Sequence, residues 1–293
     1  MKDEKAGRSP HSVIVASLWM TGTLFSFAAM AVAGRELSAD LTTFQILFYR
    51  SLVGLFIIGL IAVKTGVGRI KTEIPRLHLT RNIAHFGGQF GWFYGIAYIP
   101  LAEVFAIEFT LPVWTAILAL VLLGERLTGP RITAVGLGIA GMLIILRPGL
   151  GVMSIASLAV LFGAVCYALS HTLTKKITRF DSPVSILFYM TLIQLPIGFV
   201  LSLKGFHLPG PAMVPWVIIV GVTALSGHYC MARALKIAPA TVVVPMDFLR
   251  LPLIAFVGFL VYKEALDQFV IIGAVVMFAG NLINVRAEQK NQM

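Results

Sequence analysis

Charge is what this sequence has least of. Asp, Glu, Lys and Arg make up 12% of its 293 residues, half of the roughly 25% found in soluble domains. Hydrophobic residues account for 58% and the mean hydropathy is +0.90. Too little polar surface remains to coat a water-soluble globule of this size. The shortage excludes a soluble enzyme or binding domain and points to a lipid bilayer as the solvent. Cysteine is scarce too: Cys166 and Cys230 both lie inside apolar runs and read as small buried hydrophobes, not as a disulfide or metal site. No His-Glu-x-x-His, Gly-x-Ser-x-Gly, Cys-x-x-Cys or phosphate-binding glycine loop occurs. A membrane hydrolase or an ATP-driven pump would use such a constellation, so no enzyme activity, metal or cofactor is expected. Acids are outnumbered 13 to 23 by Lys and Arg, for a net charge of +10. In a membrane chain that excess belongs to cytoplasmic loops, and no nucleic-acid partner is expected.

What the sequence does contain is ten apolar runs, at 12–34, 42–63, 80–98, 101–123, 129–147, 153–173, 182–203, 213–235, 239–262 and 268–286. Each is close to the ~20 residues that cross a bilayer as a helix. The segments between them are too short for a separate soluble domain, so function is expected within the helices. The first run follows Lys2, Lys5 and Arg8 and contains Ala31-Val32-Ala33, which invites comparison with a signal peptide. It exceeds the ~7–15 residues of a signal core and is read as a span.

The chain also repeats itself. Ile46-Leu47-Phe48-Tyr49 recurs 140 residues later as Ile186-Leu187-Phe188-Tyr189. Further on the offset is 139: Gly88 matches Gly227, Pro100 matches Pro239, Glu125 matches Glu264 and Gly141 matches Gly280. The repeats are expected at 12–147 and 153–286, with five spans each. An odd number of spans forces the second half to enter the membrane in the opposite sense. The expected fold is therefore an all-α membrane protein of ten transmembrane helices in two inverted five-helix repeats. With the N-terminus inside, 17 of the Lys and Arg residues fall in inner segments and four, Arg35, Arg147, Lys204 and Lys263, in outer ones. That asymmetry predicts both termini in the cytoplasm.

Ionisable residues at membrane depth are costly and mark function by default. Four stand out: Arg50, Glu108, Asp247 and Arg250. Glu108 and Asp247 are repeat equivalents, 139 apart, and are expected to line a central cavity from opposite sides. A structural reading stands beside this one: Asp247 and Arg250 share a helical face and could simply neutralise each other. Arg50 has Met190 as its counterpart and could either meet substrate or hold a helix end. His85 and Gln89 lie one turn apart in the third run, and Gln89 is the equivalent of His228. These side chains suit substrate hydrogen bonds, or else bonds between helices. His171 is a weaker candidate of the same kind. Gly87, Gly91 and Gly95 form a stripe suited to close helix packing. Trp19, Phe25, Phe27, Phe86, Phe90, Trp92, Tyr94 and Trp114 could wall a planar ligand or face lipid. Pro112, Pro196, Pro245 and Pro252 interrupt apolar helices, and the fourth and ninth runs combine a proline with a buried acid.

Two five-span halves, Pro112, the junction Gly124-Glu125-Arg126-Leu127-Thr128, and Gly136, Gly138 and Gly141 together resemble the EamA branch of the drug/metabolite transporter superfamily. The second junction, Tyr262-Lys263-Glu264-Ala265-Leu266, keeps the glutamate and loses the glycine. The resemblance implies a basket of inverted repeats that moves a small organic metabolite by alternating access without ATP, in a bacterial inner membrane. The stretch from Arg81 to Trp114 is similar to the uptake branch that includes riboflavin and S-adenosylmethionine carriers. Riboflavin uptake is the first expectation. S-adenosylmethionine uptake, or export of amino acids or aromatic metabolites, is the alternative, and a membrane-embedded enzyme is a distant one. The expected site is Glu108, Asp247, Arg250, Gln89, His228, His85 and Arg50. Whether the chain is a monomer or a homodimer stays open.

Overall fold

The structure, a computed structural model, describes residues 10–65, 70–123, 129–147, 153–177, 180–237, 246–247 and 249–291. Gly124-Glu125-Arg126-Leu127-Thr128, Pro245 and the first part of the ninth run lie outside the described residues. The described residues form eleven helices and no strand. They are α1 (Pro10–Leu37), α2 (Thr43–Thr65), α3 (Pro75–Tyr98), α4 (Leu101–Glu108), α5 (Leu111–Leu123), α6 (Gly129–Leu146), α7 (Ile155–Ile177), α8 (Pro183–Ser202), α9 (Val214–Ile237), α10 (Arg250–Tyr262) and α11 (Gln268–Asn291).

Every apolar run contains a helix, and the fourth contains two. Pro112 has no N–H to offer the carbonyl of Glu108 one turn back, and α4 ends at that residue. Phe109 and Thr110 form a tightened turn, the Thr110 amide donating to Ile107 at 3.0 Å, before the chain continues as α5. The two halves also start their second helices alike. Ahead of α2, the Gln45 amide donates to Thr42 Oγ1 at 3.4 Å while the Thr42 amide donates to Gln45 Oε1 at 3.0 Å, a reciprocal cap. Ahead of α8, Ser182 accepts from the Ser185 amide at 3.1 Å, and Pro183 occupies the first helical position, where its missing N–H costs nothing.

Packing runs chiefly between the halves. α1 lies against α9, and its counterpart α7 lies against α3; α2 pairs with α8, α4 with α10 and α6 with α11. Small residues allow the close approaches. Ser26 and Ser226 hydroxyls meet at 2.9 Å across α1 and α9. A side chain at Gly91 would overlap the Ala159 carbonyl of α7, and one at Gly95 would overlap Val160. The glycine stripe is thus a packing face. Five of the helices, α1, α2, α7, α8 and α9, are long and apolar enough to cross a membrane; the apolar stretches Ile132–Leu146, Arg250–Tyr262 and Gln268–Ile283 are shorter. The outward surface is itself apolar, with Phe56 68% and Val63 71% exposed. Such a surface suits hydrocarbon and not water.

Candidate functional site

The break after Glu108 leaves its carboxylate at the end of a short helix, inside the bundle. Arg250 opens α10, and Asp247 lies one turn before it. Arg250 Nη2 donates to Asp247 Oδ2 at 3.0 Å and reaches Glu108 Oε1 at 3.3 Å. Glu108 Oε2 accepts from the Trp92 indole at 2.9 Å. Three aromatic rings, Phe27, Phe105 and Phe109, surround the guanidinium at 5.0–5.8 Å from their centroids. Asp247 and Arg250 do pair as neighbours on one face, and the same arginine also bridges to the acid of the other half. Two carboxylates share one guanidinium.

A second cluster is built on α3. Arg50, from α2, is 3% exposed. Oriented to suit its neighbours, the Gln89 amide oxygen accepts from both Arg50 terminal nitrogens, at 2.6 and 3.0 Å, and its nitrogen donates to Gln194 Oε1 at 3.0 Å. Gln194 Nε2 lies 3.0 Å from His85 Nδ1. The His85 ring stands 5.8 Å from that of His228, which is edge-on to Phe27 at 5.2 Å. Phe27 also touches the first cluster, through Arg250.

Both clusters face one cavity of about 270 Å³. Of the residues singled out in the sequence, Arg50, Gln89, Glu108, His228, Asp247 and Arg250 line it, and His171 joins them. His85 does not. It sits one layer behind the wall, 1% exposed, where it fixes Gln194. Of the aromatic residues, Phe27 and Trp92 line the cavity. Phe25 faces outward, and Phe86 and Phe90 stack on Phe44. Sequence reasoning passed over Tyr167, which lines the cavity, and Gln194, which is fully buried. A lone amide inside an apolar run was the available signal for Gln194. Among the described residues no group of His, Cys, Asp and Glu is arranged to hold a metal ion.

On the side of the bundle where α1 ends, several helix ends are tied together. Arg35 donates to Glu264 Oε1 at 3.0 Å and to the Ile99 carbonyl at 2.6 Å, and Glu264 Oε2 accepts from the Leu101 amide at 2.9 Å. The ends of α1, α3 and α10 and the start of α4 thereby meet in one knot.

Two halves with equivalent residues at a shared cavity find their counterpart among known proteins: the profile of the EamA-like transporter family matches residues 14–147 and again 154–286. The chain belongs to that family. It is a multi-pass membrane protein of the transporter class. Among its relatives is an S-adenosylmethionine uptake transporter of Rickettsia prowazekii, 23% identical over 273 residues, 93% of each chain. A riboflavin transporter of Rhizobium johnstonii is 28% identical, covering 97% of this chain and 95% of its own. A pseudopaline exporter of Pseudomonas aeruginosa is 26% identical, covering 86% and 89%. A protein of known crystal structure shares the fold with a TM-score of 0.65 at 16% identity, over 95% of this chain and 99% of that one. For an EamA-like transporter the cavity between the halves is the natural candidate for the substrate site.

Proposed function

We propose that this chain is a secondary transporter that takes up a small organic metabolite across a bacterial inner membrane by alternating access. In this reading the ten helical runs all span, the halves are inverted repeats, and both termini are cytoplasmic. One observation carries it: the equivalent pairs Glu108/Asp247 and Gln89/His228, one member from each half, converge on a single cavity. Uptake, not export, is supported by the S-adenosylmethionine uptake relative, which aligns over 93% of its length.

Of the two substrates those relatives carry, the lining favours S-adenosylmethionine. Riboflavin would draw on aromatic walls and on the Gln89 and His228 hydrogen-bonders, but the Gln89 amide is held by Arg50 and Gln194. Four charged side chains remain on the wall, and a charged substrate uses them. The test is accumulation of radiolabelled S-adenosylmethionine and, separately, riboflavin by intact bacteria expressing the chain, against cells carrying an empty vector. Accumulation of S-adenosylmethionine is expected. Riboflavin accumulation alone would reverse the preference. If neither is taken up by, nor lost faster from, cells with good membrane expression, these substrates are wrong. If the same holds for a panel of amino acids, the transporter reading falls with them.

A further inference from the structure

The cavity carries its charges in two separate places. Glu108 and Asp247 share Arg250, so that cluster holds one negative charge in excess when both acids are ionised. Asp247 Oδ1 is buried and has no hydrogen-bond partner among the described residues. Arg50 is the opposite case. No carboxylate among the described residues lies within ion-pair distance of it, and its Nε is buried without a partner. Among the described residues its acceptor is the neutral oxygen of Gln89, which takes two of its five N–H groups. Nearby, Arg81 is also buried and is held by Thr174 Oγ1 and Asn82 Oδ1, again with no carboxylate partner among the described residues. A buried guanidinium without a counter-ion is expensive. Helix packing does not require one at a position where the other half has Met190. The space between the two clusters is walled by Phe27 and His228, which can stack on a flat group but cannot neutralise either end.

We propose that the cavity takes a zwitterion, with the substrate's carboxylate on Arg50 and its cationic group on the Asp247–Glu108 side. This rests on the transporter reading and adds the orientation of the substrate. Arg50 becomes the residue that selects for an anionic end, because a guanidinium matches a carboxylate with two parallel bonds. The carboxylate supplies the counter-ion that Arg50 lacks, and the cation occupies the free oxygen of Asp247. A substrate missing either charge leaves one buried group unpaired and is rejected for that reason.

Purified protein in detergent, titrated with S-adenosylmethionine and with its decarboxylated form, separates the two ends. Both ligands carry the cationic groups; only the first carries the carboxylate. The wild type is expected to bind S-adenosylmethionine tighter by about tenfold or more. In Arg50→Gln the two affinities should converge, and Arg50→Lys should restore part of the gap. Asp247→Asn should weaken both ligands together. Elution volume and melting temperature of each variant show that it is folded. Equal affinities in the wild type, a gap that survives Arg50→Gln, or no binding of either compound would each overturn the proposal. The transporter reading is scored separately, by radiolabel accumulation in cells, and it stands if uptake persists while the binding preference is absent.

Discussion

Glu108 has two partners of different kinds, a guanidinium and an indole, and they separate its structural part from its transport part. Glu108→Gln keeps the shape and an oxygen for Trp92 but removes the charge, while Arg250 retains Asp247. Folding should therefore survive, and uptake should fall by about tenfold or more. Wild-type uptake at every pH would remove Glu108 from the mechanism. Arg250→Met is the harsher change. It leaves two carboxylates facing each other among aromatic rings, at a cost of about 3–5 kcal/mol, seen as a lower melting temperature and reduced membrane yield. At this scale the sequence revealed what hydropathy contrasts reveal: a Glu, an Asp and two Arg in apolar runs cannot be overlooked. Gln194 escaped because an amide barely disturbs hydropathy and its repeat counterpart is Gly54, so symmetry gave no hint. Arg81, one of the 17 cations assigned to inner segments, stands at the very edge of its run. Only packing shows that it turns inward.

The helices themselves were legible because each run is long and bounded by turn residues. The interruption of the fourth run was legible in kind, from Pro112, but not in place. The break falls at Phe109 and Thr110 because the unpaired carbonyl lies one turn before the proline. Pairing between helices was less visible, since apolar faces resemble one another and glycines alone do not name a partner. The pairing of α3 with α7 gives a clear test. Gly91→Leu drives a side chain into the Ala159 carbonyl, an overpacking cost of about 1–3 kcal/mol, whereas Gly136→Ala meets nothing within 4 Å and should not lower the melting temperature. A second prediction concerns the knot of Arg35, Glu264 and Leu101. Glu264→Gln weakens the contact with Arg35 and with the start of α4, so the helix ends joined there should part more often. A cysteine at Phe93, which lines the cavity, should then react faster with a maleimide than it does with Glu264 in place.

At the scale of the whole molecule, the symmetry of the packing and the asymmetry of the charge make one argument. α1 meets α9 as α7 meets α3, while α2 and α6 meet their own counterparts α8 and α11. Such reciprocal contacts arise when two like halves are related by a two-fold axis. If each half crosses the bilayer five times, that axis lies in the membrane plane and the halves are inverted. The basic residues then have to choose a side, and 17 against four do so. This yields a prediction free of any assumption about substrate. In a background of Cys166→Ala and Cys230→Ala, the exposed positions Ala39 and Glu73 are replaced singly by cysteine. Ala39→Cys follows α1 and should be labelled by a membrane-impermeant maleimide added to spheroplasts. Glu73→Cys precedes α3 and should be labelled only after the membrane is broken. Labelling of both from outside would mean that α2 does not span. The reverse pattern would place the termini outside, and Lys and Arg would then have been sorted against the rule that membrane insertion follows.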